Sequence, residues 1–186
     1  MKKSILIILS ACFIALSSFT TSDDKLVNKN GYINFFSHTV AEDISSDNYK
    51  VTSTLDRQTG DVAYSVPMQS FEFEKALMQK HFNSDKFLDT RQFPKAKFAG
   101  KITNLDEINF SMDGTYKANV DGDLTIKDVT KPISESGTIT VKGSKITVDA
   151  KMQVTLANYE IAFKEGKPST NVAKVIDVTI KSEYEK

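Results

Sequence analysis

The chain has 186 residues, which makes one domain the default organisation. Lysine plus arginine equals aspartate plus glutamate, 24 each, so the charge balance favours neither nucleic acid nor an anionic membrane surface as partner. The one cysteine, Cys12, lies in an N-terminal apolar run; once that run is removed, disulfides, thiolate nucleophiles and cysteine metal sites are all excluded.

Residues 1–17 read as an export leader. Lys2 and Lys3 give a positive start, and Ile5 to Leu16 is apolar for 12 residues, too short for a bilayer span of ~20 residues. Ala15 and Ser17 supply the small residues for a cut after Ser17. Leu9-Ser10-Ala11-Cys12 also fits a lipoprotein pattern with Cys12 lipidated, as a minor alternative. That cut would leave only Ile5 to Leu9 as the apolar run and put Phe13-Ile14-Ala15-Leu16 just beyond the anchor. The expected location is periplasmic or secreted, with no transmembrane segment in the mature chain. Residues 18–30 are small, polar and charged and read as a short tether; residues 31–186 form the domain.

Beyond the tether the dominant period is two. Tyr49, Val51 and Leu55 alternate with polar neighbours, and Val62, Tyr64, Val66 and Met68 follow the turn at Arg57-Gln58-Thr59-Gly60. Glu72 to Phe82 breaks the period: Leu77, Met78, His81 and Phe82 form one helical stripe, with Glu72 and Glu74 placed in the first turn. Ser84 to Leu88 suits a second short helical turn, and Phe93-Pro94 returns the chain to extended structure. Phe98 and Ile102 flank Gly100, and Ile108, Phe110 and Met112 continue the alternation. Tyr116, Ala118, Val120, Leu124 and Ile126 keep one phase through Gly122, which predicts a single strand with a corner, not a hairpin. Gly143-Ser144 is a two-residue hairpin connection into Lys145–Leu156, where six apolar residues alternate with six polar ones. The last strand is expected from about Val172 to Tyr184, with Ile176, Val178 and Ile180 on one face.

About eight long strands with one apolar face each must close on that face. An all-β, eight-stranded antiparallel barrel with one helical insertion does so and removes the sheet edges; a two-sheet sandwich is the competing solution. The aromatic content, 12 phenylalanines and 6 tyrosines, gathers at Phe71, Phe73, Phe82, Phe87, Phe93 and Phe98, in and around the helical insertion. Two readings stand: a lid that plugs the barrel, or a lid that lines the mouth of an apolar cavity.

Catalytic and metal chemistry finds little support. Ser37 and His38 are adjacent on a strand and so face opposite ways. His81 sits on the helical stripe as a partly buried histidine, and two scattered histidines without cysteine make no zinc site. Carboxylates fall singly on polar strand faces, without a pair suited to acid–base work. No glycine-rich phosphate loop precedes a helix. No cofactor, metal or catalytic residue is expected.

Two motifs resemble the YceI-like family. Leu77-Met78-Gln79-Lys80-His81-Phe82-Asn83-Ser84-Asp85-Lys86-Phe87-Leu88-Asp89, followed by Phe93-Pro94-Lys95-Ala96-Lys97-Phe98, is similar to its central signature. Gly122-Asp123-Leu124-Thr125-Ile126-Lys127-Asp128-Val129-Thr130-Lys131-Pro132 resembles its second, with Asp128 where the family commonly has glycine. Glu74-Lys75 and Asn158-Tyr159 also depart from the family's usual Arg-Asp and Phe-Gly pairs. Ile33 to Thr39 resembles its opening strand. The resemblance implies a lipocalin-like barrel, exported, without catalytic activity, and for some members binding of a long polyisoprenoid chain in the barrel. Together with strand phase it puts Phe35, Phe73, Leu77, Phe98, Phe110, Tyr116, Leu124, Met152 and Tyr159 on the cavity wall, at its mouth, or in solid core. The expected function is an exported binder or carrier of a long apolar lipid, of polyisoprenoid or isoprenoid-quinone type. The alternative is an exported stress or interaction protein with a side-chain-filled barrel and no lipid. The lipid's identity and the oligomeric state are left open, a dimer among the options.

Overall fold

The computed structural model describes residues 24–161 and 171–186. The expected leader and Cys12 lie outside these residues. The strands run β1 (Lys25–His38), β2 (Asp43–Asp56), β3 (Asp61–Pro67), β4 (Glu72–Phe73), β5 (Lys95–Ile102), β6 (Gly114–Ile126), β7 (Val129–Lys142), β8 (Lys145–Thr155) and β9 (Val175–Glu185). The α-helix α1 is Ala76–Asn83, and single 3-10 turns occupy Met68–Ser70, Leu105–Glu107 and Leu156–Tyr159. All pairings are antiparallel, in the order β1-β9-β8-β7-β6-β5-β3-β2, and β1 pairs with β2 to close the barrel. The two-residue β4 adds to β2 near the lid.

The long strands follow the predicted phase. β6 continues through Gly122, where Gly122 lies opposite Gly100 of β5. A Cβ on Gly122 would stand 2.5 Å from both the Ala99 carbonyl oxygen and the Gly100 Cα, and 2.8 Å from the Phe98 ring. The paired glycines let two backbones approach and let Phe98 cover them from inside the barrel. β7 and β8 meet through Gly143-Ser144, with Gly143 at φ +59°. The β6–β7 turn, Lys127-Asp128, has both residues at positive φ, 50° and 60°, the geometry of a two-residue hairpin turn. That left-handed backbone explains why glycine suits the Asp128 position.

Several sequence expectations change. β1 begins at Lys25, so residues 25–30 are strand, not tether. Val27 faces out, while Leu26 and Asn28 face in. Tyr49 does not share the face of Val51: it is 55% exposed and packs on Tyr32, ring centroids 5.1 Å apart. The cause is a bulge. Inward residues run Ser46, Asn48, then Val51, Ser53, Leu55, so Tyr49 and Lys50 both face solvent. Asn48 shapes it, its side-chain oxygen accepting the Lys50 N–H at 2.9 Å while its amide donates to the Pro67 carbonyl at 2.9 Å. Asn28 does the same in β1, accepting from Asn30 N–H at 2.6 Å and donating to the Glu183 carbonyl at 2.5 Å. Both asparagines are buried, and their hydrogen bonds offset that burial.

Ile108 to Met112 is loop, with Met112 58% exposed, because the 3-10 turn at Leu105–Glu107 ends the extended run. α1 starts four residues later than expected. Glu72 belongs to β4, Lys75 is the residue before the helix, and its first turn holds no acidic residue. Ser84 to Leu88 forms turns, with Phe87 and Asp89 N–H groups donating to the Ser84 carbonyl. Leu156 opens a 3-10 turn after β8, and β9 starts at Val175 rather than Val172.

The core divides in two. One cluster, around Leu55, Ile139, Val141, Ile146 and Tyr184, closes the end where β8 begins; we call it the floor. The other, around Val66, Phe71, Phe82, Leu88 and Leu156, lies under the helical segment, the lid.

Candidate ligand-binding cavity

Between floor and lid lies a void of about 860 Å³. Inward residues at mid-strand, among them Val148, Ala150 and Met152 of β8, are only half-buried although they point into the barrel. They border empty space, whereas Ile146 and Val154 at the ends of the same face are buried. The interior is therefore not filled by its own side chains. Its size falls in the range of small-molecule pockets, and its lining is mainly aliphatic and aromatic.

The lid is organised by Phe82. Met78 and Phe82, one helical turn apart, carry the inward stripe of α1. The Phe82 ring lies 5.7 Å from Phe35, 5.5 Å from Phe71, 4.9 Å from Phe73 and 6.3 Å from Phe87. Such tilted and offset pairs are favourable beyond the area they bury. Ion pairing at the rim joins Lys75 Nζ to Glu42 Oε1 at 3.1 Å, linking the start of α1 to the β1–β2 hairpin.

The floor side carries a buried hydroxyl cluster. Tyr184 Oη donates to Ser53 Oγ at 2.8 Å, and Ser53 Oγ donates to Ser182 Oγ at 3.3 Å. Tyr64 of β3 lines the void on the same side as Tyr184. Burial, first of all, pushes the phenols of Tyr64 and Tyr184 above their ordinary range. Among the described residues three carboxylates border the void: Glu42 and Asp85 at the lid end, and Glu135 of β7, whose carboxyl is pushed up by desolvation. This corrects the expectation that carboxylates keep to polar faces. The sign was its parity, since Glu135 shares the phase of Ile133, Ile139 and Val141.

Of the nine residues singled out from sequence, Phe35, Phe73, Phe98, Leu124 and Met152 line the void. Four do not. Leu77 is 63% exposed, because Met78 and Phe82 take the inward face of α1. Phe110 and Tyr116 pack on the floor cluster below the void, Tyr116 Oη donating to the Met112 carbonyl at 3.0 Å. Tyr159 is buried in the lid-end cluster behind the wall. Sequence reasoning did not single out Met68, Met78 or Glu135 for the void, although each keeps strand or helix phase with residues that line it.

Ser37 and His38 do face opposite ways. Ser37 is buried and accepts the Ala173 N–H at 2.9 Å, while the exposed His38 Nδ1 meets Asp43 Oδ1 at 2.5 Å. His81 is exposed at the mouth, not partly buried, since Phe82 takes the inward position. Among the described residues, no group of three or more His, Cys, Asp or Glu could hold a metal, and no helix is long and apolar enough to cross a membrane. The arrangement suits enclosing a long molecule with few polar groups.

Fold and cavity together define a lidded antiparallel barrel of lipocalin-like architecture that encloses a cavity. Residues 18–184 match the YceI-like domain, and the chain belongs to that family. It is 39% identical over 64 residues to a UPF0312 protein of Pseudomonas fluorescens, a match covering 34% of this chain and 31% of that relative. The same fold occurs in Burkholderia cenocepacia BcnA, with a TM-score of 0.69 at 16% identity, covering 82% of this chain and 95% of that one. It also occurs in a polyisoprenoid binding domain from Saccharophagus degradans implicated in plant cell wall breakdown. That likeness has a TM-score of 0.72 at 11% identity, covering 87% of this chain and 98% of the other.

Proposed function

We propose that this protein is an exported binder or carrier of a long apolar lipid, of polyisoprenoid or isoprenoid-quinone type, and that it is not an enzyme. The observation that carries the reading is the apolar void of about 860 Å³ between a sealed floor and a phenylalanine lid. An isoprenoid tail has many methyl and methylene groups and few hydrogen-bonding groups, and each CH₂ buried contributes ~0.8 kcal/mol. The polyisoprenoid-binding domain of similar fold supports the same ligand class. The leader-like residues 1–17 support export.

Native mass spectrometry of the purified protein, with organic extraction of what it carries, tests the lipid. An isoprenoid mass in the extract, or a mass shift on adding an isoprenoid quinone or polyprenol, is the expected result. A clean ligand-free mass with no shift on either addition overturns the carrier reading. Export is tested by sequencing the mature N-terminus from the extracellular or periplasmic fraction. A start at Ser18 is expected, and a lipidated start at Cys12 would replace the soluble carrier with an anchored one.

A further inference from the structure

Among the described residues the barrel wall is not continuous. β6 and β7 pair along their whole length, from Gly114–Val141 to Ile126–Val129. β7 and β8 pair only from Gly137–Ala150 to Lys142–Lys145. Beyond Gly137 the strands part: residues 129–136 of β7 and Lys151–Thr155 of β8 share no ladder, although β8 stays paired to β9 throughout. Five residues of β8 correspond to roughly 16 Å of wall at ~3.3 Å per residue.

The gap is framed on all sides. At its base, Gly137 allows the last close approach, since a Cβ there would stand 2.7 Å from the Asp149 carbonyl oxygen. At its top, β7 packs on the 3-10 turn Leu156–Tyr159, and Lys127 Nζ donates to the carbonyls of Phe87 at 3.0 Å and Glu160 at 3.3 Å. Pro132, which has no N–H, and the exposed Lys131 lie on the unpaired stretch of β7 and discourage another strand from adding there.

The cavity reaches this gap. Inward Glu135 and Gly137 line it, and so do Ser136 and Thr138, which point to the opposite face of the same strand. Residues of both phases border one void only where that void passes through the wall. Had the ladder continued, Glu135 would oppose Met152, so its carboxylate stands at the base of the opening, two residues from the last paired position. Desolvation pushes that carboxyl above its ordinary range. Elsewhere the lining is mainly hydrocarbon with a buried hydroxyl cluster on the floor side, and the charged Glu42, Asp85, Lys86 and Lys97 also border the void.

We infer that the gap between β7 and β8 is a side window that takes the polar end of the bound lipid, and that Glu135 selects an uncharged, hydrogen-bond-donating head such as a hydroxyl over an anionic one. This rests on the lipid-carrier reading and adds to it the orientation of the ligand and the class of its head group. The tail then fills the void between floor and lid. A carboxylate accepts a hydrogen bond from a hydroxyl but repels a phosphate in a poorly screened site.

Two measurements on the full mature chain test it. The first is photolabelling with a polyprenol carrying a diazirine next to its hydroxyl. Label in peptides spanning 131–138 or 151–155 is expected; label confined to the lid, residues 71–88, overturns the window. The second compares binding of a polyprenol and the polyprenyl phosphate of equal chain length at neutral pH. The alcohol should bind at least tenfold more tightly, and Glu135→Gln should reduce that preference to threefold or less while retaining alcohol binding. Equal or tighter phosphate binding by the unmodified protein overturns the role of Glu135. Uptake of both lipids with the label elsewhere and no discrimination removes this inference and leaves the carrier reading standing. Uptake of neither removes both.

Discussion

The two ends of the barrel are built from similar residues and behave as different materials. At the floor, Val141, Ile146 and Tyr184 are contributed by long strands, stand at 2%, 0% and 1% exposure, and contact partners distant in sequence. At the lid, Phe82 is the one buried side chain of an eight-residue helix, and it packs on Phe73 of a two-residue strand. A helix that short has little stability of its own and holds its place by packing. The floor therefore sets the stability of the fold. The lid can open locally without unfolding the barrel, as a cavity that must admit a long molecule requires.

Ile146→Ala should break the floor most severely. Ile146 is fully buried between Val141 of β7 and Tyr184 of β9, and an unfilled cavity there is expected to cost ~2–5 kcal/mol in urea denaturation. The buried phenols sharpen the same point by pH. Tyr64 and Tyr184 keep their protons in the folded state above the pH at which the unfolded chain loses them. Stability should be unaffected by these groups below about pH 10 and fall above it, by up to ~1.4 kcal/mol per pH unit for each tyrosine. The fall continues until the folded phenols ionise. Denaturation midpoints between neutral and strongly alkaline pH measure it, and Tyr184→Phe should shallow the slope.

At the other end, Phe82→Ala should cost less globally than the floor variant, about 1–2 kcal/mol, because the lid contributes little to the closed sheet. Its larger effect should be local: amide exchange across Ala76–Asn83 should accelerate while exchange in β6 and β7 stays slow. Equal acceleration everywhere would show that lid and floor form one cooperative unit. The smallest change tests the hairpin that braces the lid. Asp128→Gly relieves a left-handed backbone, φ 60°, and should stabilise by about 0.5–1 kcal/mol, read as a small rise in the denaturation midpoint.

What could be read from the chain follows from the range of each interaction. The alternation along β8 and the unbroken phase of β6 through Gly122 are local properties of neighbouring side chains, so both strands and their inward faces were legible in advance. The barrel followed, because strands with one apolar face must close on it. The bulges at Asn28 and Asn48 were not legible, since each needs a carbonyl from a distant strand, Glu183 or Pro67, to hold the asparagine inside. The bulge at Asn48 turns Tyr49 to the face opposite the one that simple alternation predicts. The helix starts late for a related reason: β4 pairs Glu72–Phe73 with β2, and that long-range ladder takes residues that local propensity assigns to the helix.

The apolar side of each strand, and the gathering of aromatic residues near the helical insertion, are written in the order of residues. That the apolar sides do not meet is a property of the closed sheet. Strand number and stagger fix the diameter of a closed sheet, and neither is a property of any one strand. The same holds for Glu135. Its phase was written in the chain, but its meaning depends on β7 and β8 parting at Gly137, which is a relation between two strands.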